Sequence, residues 1–216
     1  MSNRIVSVCG WLVLLFAVAG VAGCGGNNGN PSQSSSSGRA DSADLRPESY
    51  GIDKRDALRI RKDTQHNRLW VLSLENVRVY DIARNRKTLL RQIPMPKWSV
   101  VPFDFACMPD MALDRSGSAF ISSNAQPRIW RIDADSFELK EHEIILQGRE
   151  QWDLGFGALA FAQDGTLLAL SSPVGLLWSI DVGKASASIV EQNASFRDVC
   201  ELTMKFVSNF EKSGKL

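Results

Sequence analysis

Beyond residue 58, apolar and polar residues alternate in short runs broken by turn residues, and the alternation repeats at a step of 48 residues. Residues 111–121 lie parallel to 159–169, and the same step carries Trp130 onto Trp178, Ile132 onto Ile180 and Asp133 onto Asp181. A period of two predicts strands, and a fixed step of this length predicts a repeat architecture. Gly117 and the Asp164-Gly165 pair supply the positive φ that a tight hairpin needs between the first and second strands of each copy. Further turns follow at 124–127 and 172–175, then third strands at 128–132 and 176–180, then outer strands at 138–144 and 186–191. A more divergent copy precedes these, with strands at 58–62, 68–73, 77–81 and 88–93, its third strand ending on Asp81 as the others end on Asp133 and Asp181. Residues 200–206 alternate too. Val199, Leu202, Phe206 and Phe210 also fit one helix face, but a new copy is due here and a strand is the expectation.

Four-stranded units of this length are blades in which each sheet packs its apolar face on the next. The segments 111–133 and 159–181 resemble repeats of the NHL and gluconolactonase/regucalcin propeller superfamily, with a hydrophobic strand, an Asp-Gly-type turn and a second strand recurring. The resemblance implies an all-β, β-propeller-like fold of about three to four four-stranded blades. Length is the difficulty, because closed propellers begin at about four blades. Three outcomes stay open: residues 196–206 pair near Leu58 to close a small ring, the ring closes by self-association, or it stays incomplete because the chain is a truncated fragment of a larger propeller.

Upstream, the pattern changes. Residues 5–23 form a 19-residue apolar run behind Arg4, ending in Val21-Ala22-Gly23-Cys24. This motif resembles the lipobox of bacterial lipoprotein signal peptides, where small residues fit a protease cleft and the cysteine thiol takes the lipid. The resemblance implies a signal peptide over 1–23, cleavage before Cys24 and acylation of Cys24. The competing reading is an uncleaved membrane anchor, for which 19 residues is close to the shortest spanning length. Gly25 rather than Asp after the cysteine implies, for a Gram-negative lipoprotein, sorting to the outer membrane with the domain facing the periplasm. Residues 27–39 hold no large apolar side chain and cannot offset their ordering entropy by burial, so 24–49 reads as the lipidated cysteine plus a flexible tether. The propeller-like domain is then 50–216.

Charge adds one asymmetry. The net charge of +1 hides a basic stretch, with 13 Lys/Arg against 6 Asp/Glu over 46–97, and an acidic remainder, with 10 against 16 over 98–216. Solvated strand faces are the simplest account, with attraction to anionic envelope polymers or lipid headgroups as the alternative. Basic residues interleaved with acids give nucleic-acid binding little support. Of four cysteines, Cys9 lies in the leader and Cys24 at the lipidation site. Cys107 and Cys200 either pair in an oxidising compartment or remain as buried free thiols.

The chemistry-bearing residues are few. His66 sits in a polar turn and His142 in a charged run, and both read as exposed surface rather than catalysts. Metal-dependent lactonases of the resembled superfamily place an Asn-Gly pair before the first strand; here those positions hold Pro109-Asp110 and Gly157-Ala158, which lack the amide ligand. Asp104, Asp110 and Asp153 are the candidate channel carboxylates for a hard cation. Trp70, Trp130 and Trp178 read as core between blades, whereas Trp98, Phe103, Phe105, Trp152 and Phe156 read as a binding rim. The expectation is a lipid-anchored, non-catalytic binding or scaffold module of the cell envelope, with no cofactor, an envelope protein as partner and no nucleic acid. The alternative is a metal-dependent hydrolase, lactonase or lyase.

Overall fold

The computed structural model describes residues 47–83, 87–95, 98, 107–148, 155–197 and 199–214, all within the unit Asp41–Leu216. The leader, Cys24 and the tether lie outside them. Three four-stranded antiparallel meanders follow one another along the chain. The first blade is β1 (Arg59–Asp63), β2 (Arg68–Leu72), β3 (Asn76–Asp81) and β4 (Thr88–Pro94). The second is β5 (Met111–Leu113), β6 (Ala119–Ser122), β7 (Arg128–Ile132) and β8 (Leu139–Glu143). After β8 the chain crosses to the edge of the third sheet as β9 (Ile145–Leu146), which pairs in parallel with the outermost strand of β10 (Ala158–Phe161), β11 (Leu167–Ser171), β12 (Leu176–Asp181) and β13 (Ser186–Gln192). The crossing buries Ile144 completely and ties the second blade to the third.

The fold is all-β and propeller-like, and its blades form an open arc of three. Strand alternation sends successive side chains to opposite faces, so each sheet presents one apolar set to each neighbour. Trp70, Leu72, Val77 and Val79 of the first blade meet Met111, Ile121, Trp130 and Ile132 of the second. Phe120 and Ile129 on the second blade's other face meet Leu159, Leu167, Trp178 and Ile180 of the third. Trp70, Trp130 and Trp178 are buried, and the latter two both point back at the preceding blade, as their shared register predicts. Gly117 and Gly165 turn with φ of 81° and 94°. The repeated aspartates end the third strands: Asp81 Oδ1 accepts from the Ala83 amide, Asp133 Oδ1 from the Asp135 and Ser136 amides, and Asp181 Oδ1 from the Lys184 amide.

The end of the chain departs from expectation. Residues 199–203 are not a strand, and α1 (Met204–Lys212) follows. Thr203 caps it, its Oγ1 accepting from the Phe206 amide. Leu202, Val207 and Phe210 lie against Ala158, Ala160, Leu168, Leu170 and Leu177, the face a fourth blade would have covered. A strand would need a second apolar face to serve a further blade; a helix has to bury only one stripe, so the chain from Met204 resolves as helix with Val207 and Phe210 on its buried side. Ring closure through 196–206 is therefore replaced by capping. At the other end of the arc, Ile52, Tyr50 and Ala57 cover Ile60, Leu69 and Val71 of the first blade. Among the described residues, both outer faces of the arc are thus covered. The outer strands β4 and β13 carry register shifts at Leu90 and Val190, bulges that deter edge-to-edge pairing.

Candidate functional site

Of the residues predicted to carry chemistry, Asp110 lies at the end of the arc where the innermost strands β1, β5 and β10 begin. Asp110 immediately precedes β5 and is completely buried. Its Oδ1 accepts from Arg59 Nε at 3.0 Å, Arg61 at 2.8 Å and the Met111 amide at 2.8 Å. Its Oδ2 accepts from the Leu159 amide at 3.0 Å. One carboxylate thus ties β1, β5 and β10 together, drawing on all three blades. The Asp110 backbone is held as well, since its amide donates to Ser122 Oγ at 2.9 Å and its carbonyl accepts from the Ser122 amide at 3.0 Å.

Why these residues meet follows from register. Arg59 lies opposite Leu72 and Ala158 opposite Leu170, while Asp110 is bonded across to Ser122, so the three stand at equivalent places in their blades. Arg61, Ala112 and Ala160 are likewise equivalent. The first blade carries cations where the third carries alanines, and the second supplies the anion between. The guanidiniums keep about a quarter of their side-chain surface exposed, while the carboxylate keeps none. Charge-assisted bonds of this kind are strong, and burial makes their loss costly. The lone pairs that a hard cation would require on Asp110 face N–H donors. Among the described residues, no three His, Cys, Asp or Glu side chains converge as metal ligands.

The same end holds a belt of buried polar groups: Ser122, Ser123, Asn124, Ser171 and Ser172. Asn124 Nδ2 donates to the Cys107 carbonyl at 2.9 Å, and Ser172 Oγ donates to the Val199 carbonyl at 2.6 Å. Cys107 and Cys200 are joined in a disulfide across 93 residues of chain, with Cα atoms 5.2 Å apart. It fastens the start of the helical cap to the entry of the second blade. Gly155 and Gly157 make this packing feasible. A Cβ on Gly155 would lie 2.0 Å from the Ser123 carbonyl oxygen, and one on Gly157 would lie 2.6 Å from Cys107 Cβ.

Phe156 does not join the predicted aromatic rim. Phe156 is completely buried in the core between the second and third blades, because its amide donates to the Ser123 carbonyl at 2.7 Å and pulls the chain inward. Trp98 is half-buried against the other inter-blade core, edge-on to Trp130 at 6.4 Å. Phe103, Asp104, Phe105, Trp152 and Asp153 lie outside the described residues, as does Cys24.

Both histidines are half-buried rather than exposed. His66 Nδ1 sits 2.6 Å from Asp63 Oδ2, in a turn whose Asp63 also accepts from the Gln65 and His66 amides. Gly117 of the next blade lies so near that a Cβ there would fall 2.5 Å from Asp63 Oδ2, so the pair serves the contact between blades. His142, on β8 opposite Ile129, has a buried Nε2 without a hydrogen-bond partner. Burial, followed by the nearby Arg131 and Lys140 charges, pushes its pKa below the ordinary 6.5. The folded state therefore binds fewer protons than the unfolded one just below pH 6.5, and stability falls as pH drops through that region towards the folded pKa. His142→Gln should flatten that part of the urea-stability profile; an unchanged slope would remove His142 as its source.

Sequence reasoning missed Arg59 and Arg61 as partners of Asp110. The available signal was charge on the inward side of a first strand, where the third copy carries alanine at both positions. No family model matches the chain, and no curated protein matches it. Solved structures with some likeness include a structural genomics protein of unknown function from Bacteroides thetaiotaomicron VPI-5482, at 13% identity over 61% of this chain and 34% of that one, TM-score 0.45. Selenomethionine-substituted virginiamycin B lyase from Staphylococcus aureus has 12% identity over 57% of this chain and 37% of that one, TM-score 0.40. The major Malassezia sympodialis allergen Mala s 1 has 17% identity over 58% of this chain and 44% of that one, TM-score 0.39. The matched part thus spans less than half of each of these proteins.

Proposed function

We propose that this propeller-like chain is a lipid-anchored, non-catalytic binding or scaffold module of a bacterial cell envelope. The observation that carries the reading is the Cys107–Cys200 disulfide. Disulfides of this structural kind belong to oxidising compartments, and a lipobox-like motif ending in Cys24 leads to such a compartment. The two features are independent, since one is a leader motif and the other a bridge 93 residues long inside the domain. The binding role is supported by how the polar end is used. Asp110 serves as a clamp between blades, so a metal-dependent hydrolase would have to release two guanidiniums before that carboxylate became a ligand.

The test is Cys24→Ala expressed in a Gram-negative host fed a labelled fatty acid. The wild-type chain should take up label and sediment with outer membranes. The variant should take up none and keep the apolar leader uncleaved. Label on the variant, or wild-type chain without label, would overturn the anchoring. Metal analysis of the purified chain addresses the second half of the reading: a stoichiometric divalent ion would favour the hydrolase alternative.

A further inference from the structure

Beyond its place in the envelope, the arc carries a detachable part. The cap of residues 199–212 stands where a fourth blade would begin, and the inter-blade ladder runs into it. Arg115 donates to the Gln163 carbonyl and the Gln163 amide donates to Glu211 Oε1, each pair separated by 48 residues, the repeat step itself. What holds the cap differs from what holds the blades. Its apolar contact is one stripe, Leu202, Val207 and Phe210, with Phe206 stacked on Phe210 and edge-on to Phe196. A nine-residue helix is too short to persist in water without that contact. The covalent restraint is the bond from Cys200 to Cys107.

We propose that the Cys107–Cys200 bond is a redox latch, and that its reduction lets residues 199–212 leave their own third blade and dock on the third blade of a second copy. The reductant is a dithiol. Its thiolate attacks Sγ of Cys200, the more exposed of the two cysteines, and Cys107 leaves as thiolate. The second thiol of the reductant then displaces Cys200, so the dithiol becomes a disulfide and its two electrons and two protons reside on the cysteine pair. The released face of Ala158, Ala160, Leu168, Leu170 and Leu177 is an uncovered apolar surface, and the released segment has the shape that fits it. Every copy carries both halves, so exchange restores each contact at the cost of association alone. While the bridge is intact the cap's local concentration on its own blade keeps the chain monomeric.

The experiment uses the full chain, as an equal mixture of heavy-isotope-labelled and unlabelled copies in non-ionic detergent, at about 100 μM. It is reduced with a dithiol, incubated and reoxidised, and the Cys107–Cys200 peptide is mapped by mass spectrometry, so Cys9 and Cys24 do not enter the readout. Roughly half of the swapped bridges should join one heavy and one light cysteine, the statistical share for random exchange. Before reoxidation, amides of 204–212 should lose protection from hydrogen exchange while those of β10 to β12 keep theirs, and the protein mass in the micelle should rise towards twice the monomer. Bridges of uniform label, or a cap that stays protected under reduction, would overturn the latch. Loss of protection in β10 to β12 as well would overturn it equally, because the bond would then hold the whole arc.

Discussion

Asp110→Ala is expected to destabilise the arc by about 3–5 kcal/mol, the cost of removing one member of a buried ionic cluster. The loss has two physical parts. Arg59 and Arg61 keep their charges with about three quarters of each side chain out of water, and the Met111 and Leu159 amides lose their acceptor. In a domain of this size that corresponds to a fall in Tm of roughly 6–20 °C. Urea unfolding followed by tryptophan emission measures it, since Trp130 and Trp178 sit in the two inter-blade cores. The triple variant Arg59→Met, Arg61→Met, Asp110→Ala separates charge from packing. It should recover part of the stability lost in the single variant, because no buried charge is then left alone. A triple variant less stable than Asp110→Ala would show that the arginines act through their stems rather than through the carboxylate.

Gly155→Ala is expected to cost at least about 3 kcal/mol, at the upper end of what an added methyl group does to a packed interior. The neighbours decide the size of the effect. A Cβ would fall 2.0 Å from the Ser123 carbonyl oxygen, 2.3 Å from that of Gln126 and 2.8 Å from the Gln126 amide nitrogen, all backbone atoms of the β6–β7 turn. A flexible side chain would swing aside; a hydrogen-bonded turn cannot. Relief by separation would break the Phe156 amide bond to Ser123 and expose a completely buried ring. Gly165→Ala is the control, because a Cβ there meets nothing within 4 Å and only its φ of 94° is at stake. Gly165→Ala should cost about 1–2 kcal/mol, as left-handed backbone does for alanine. Equal midpoints for the two variants in urea would rule out backbone approach as the reason for glycine at 155.

Much of the arc was legible because its signals are local. The alternation of strands 128–132 and 176–180, the turn glycines at 117 and 165, and the aspartates at 133 and 181 each act within a few residues, and each is found where the pattern placed it. Residues 200–206 were misread because both periods fit them, and what lay beside them decided. The buried face of the third blade needed covering on one side only, so the helix prevailed. Phe156 was misread for a related reason, since aromatic character is the same in a rim and in a core and only the bond from its own amide to the Ser123 carbonyl draws it inward.

The amino-acid order alone determined the blade unit, its step of 48 and the places where strands turn, since those depend on side-chain period and backbone sterics along short stretches. Only the tertiary structure decided that three blades stop as a capped arc, that Asp110 is spent on two arginines, and that Cys107 finds Cys200. The last two outcomes rest on residues about 50 and 93 positions apart, and nothing in a local pattern carries the distance between them.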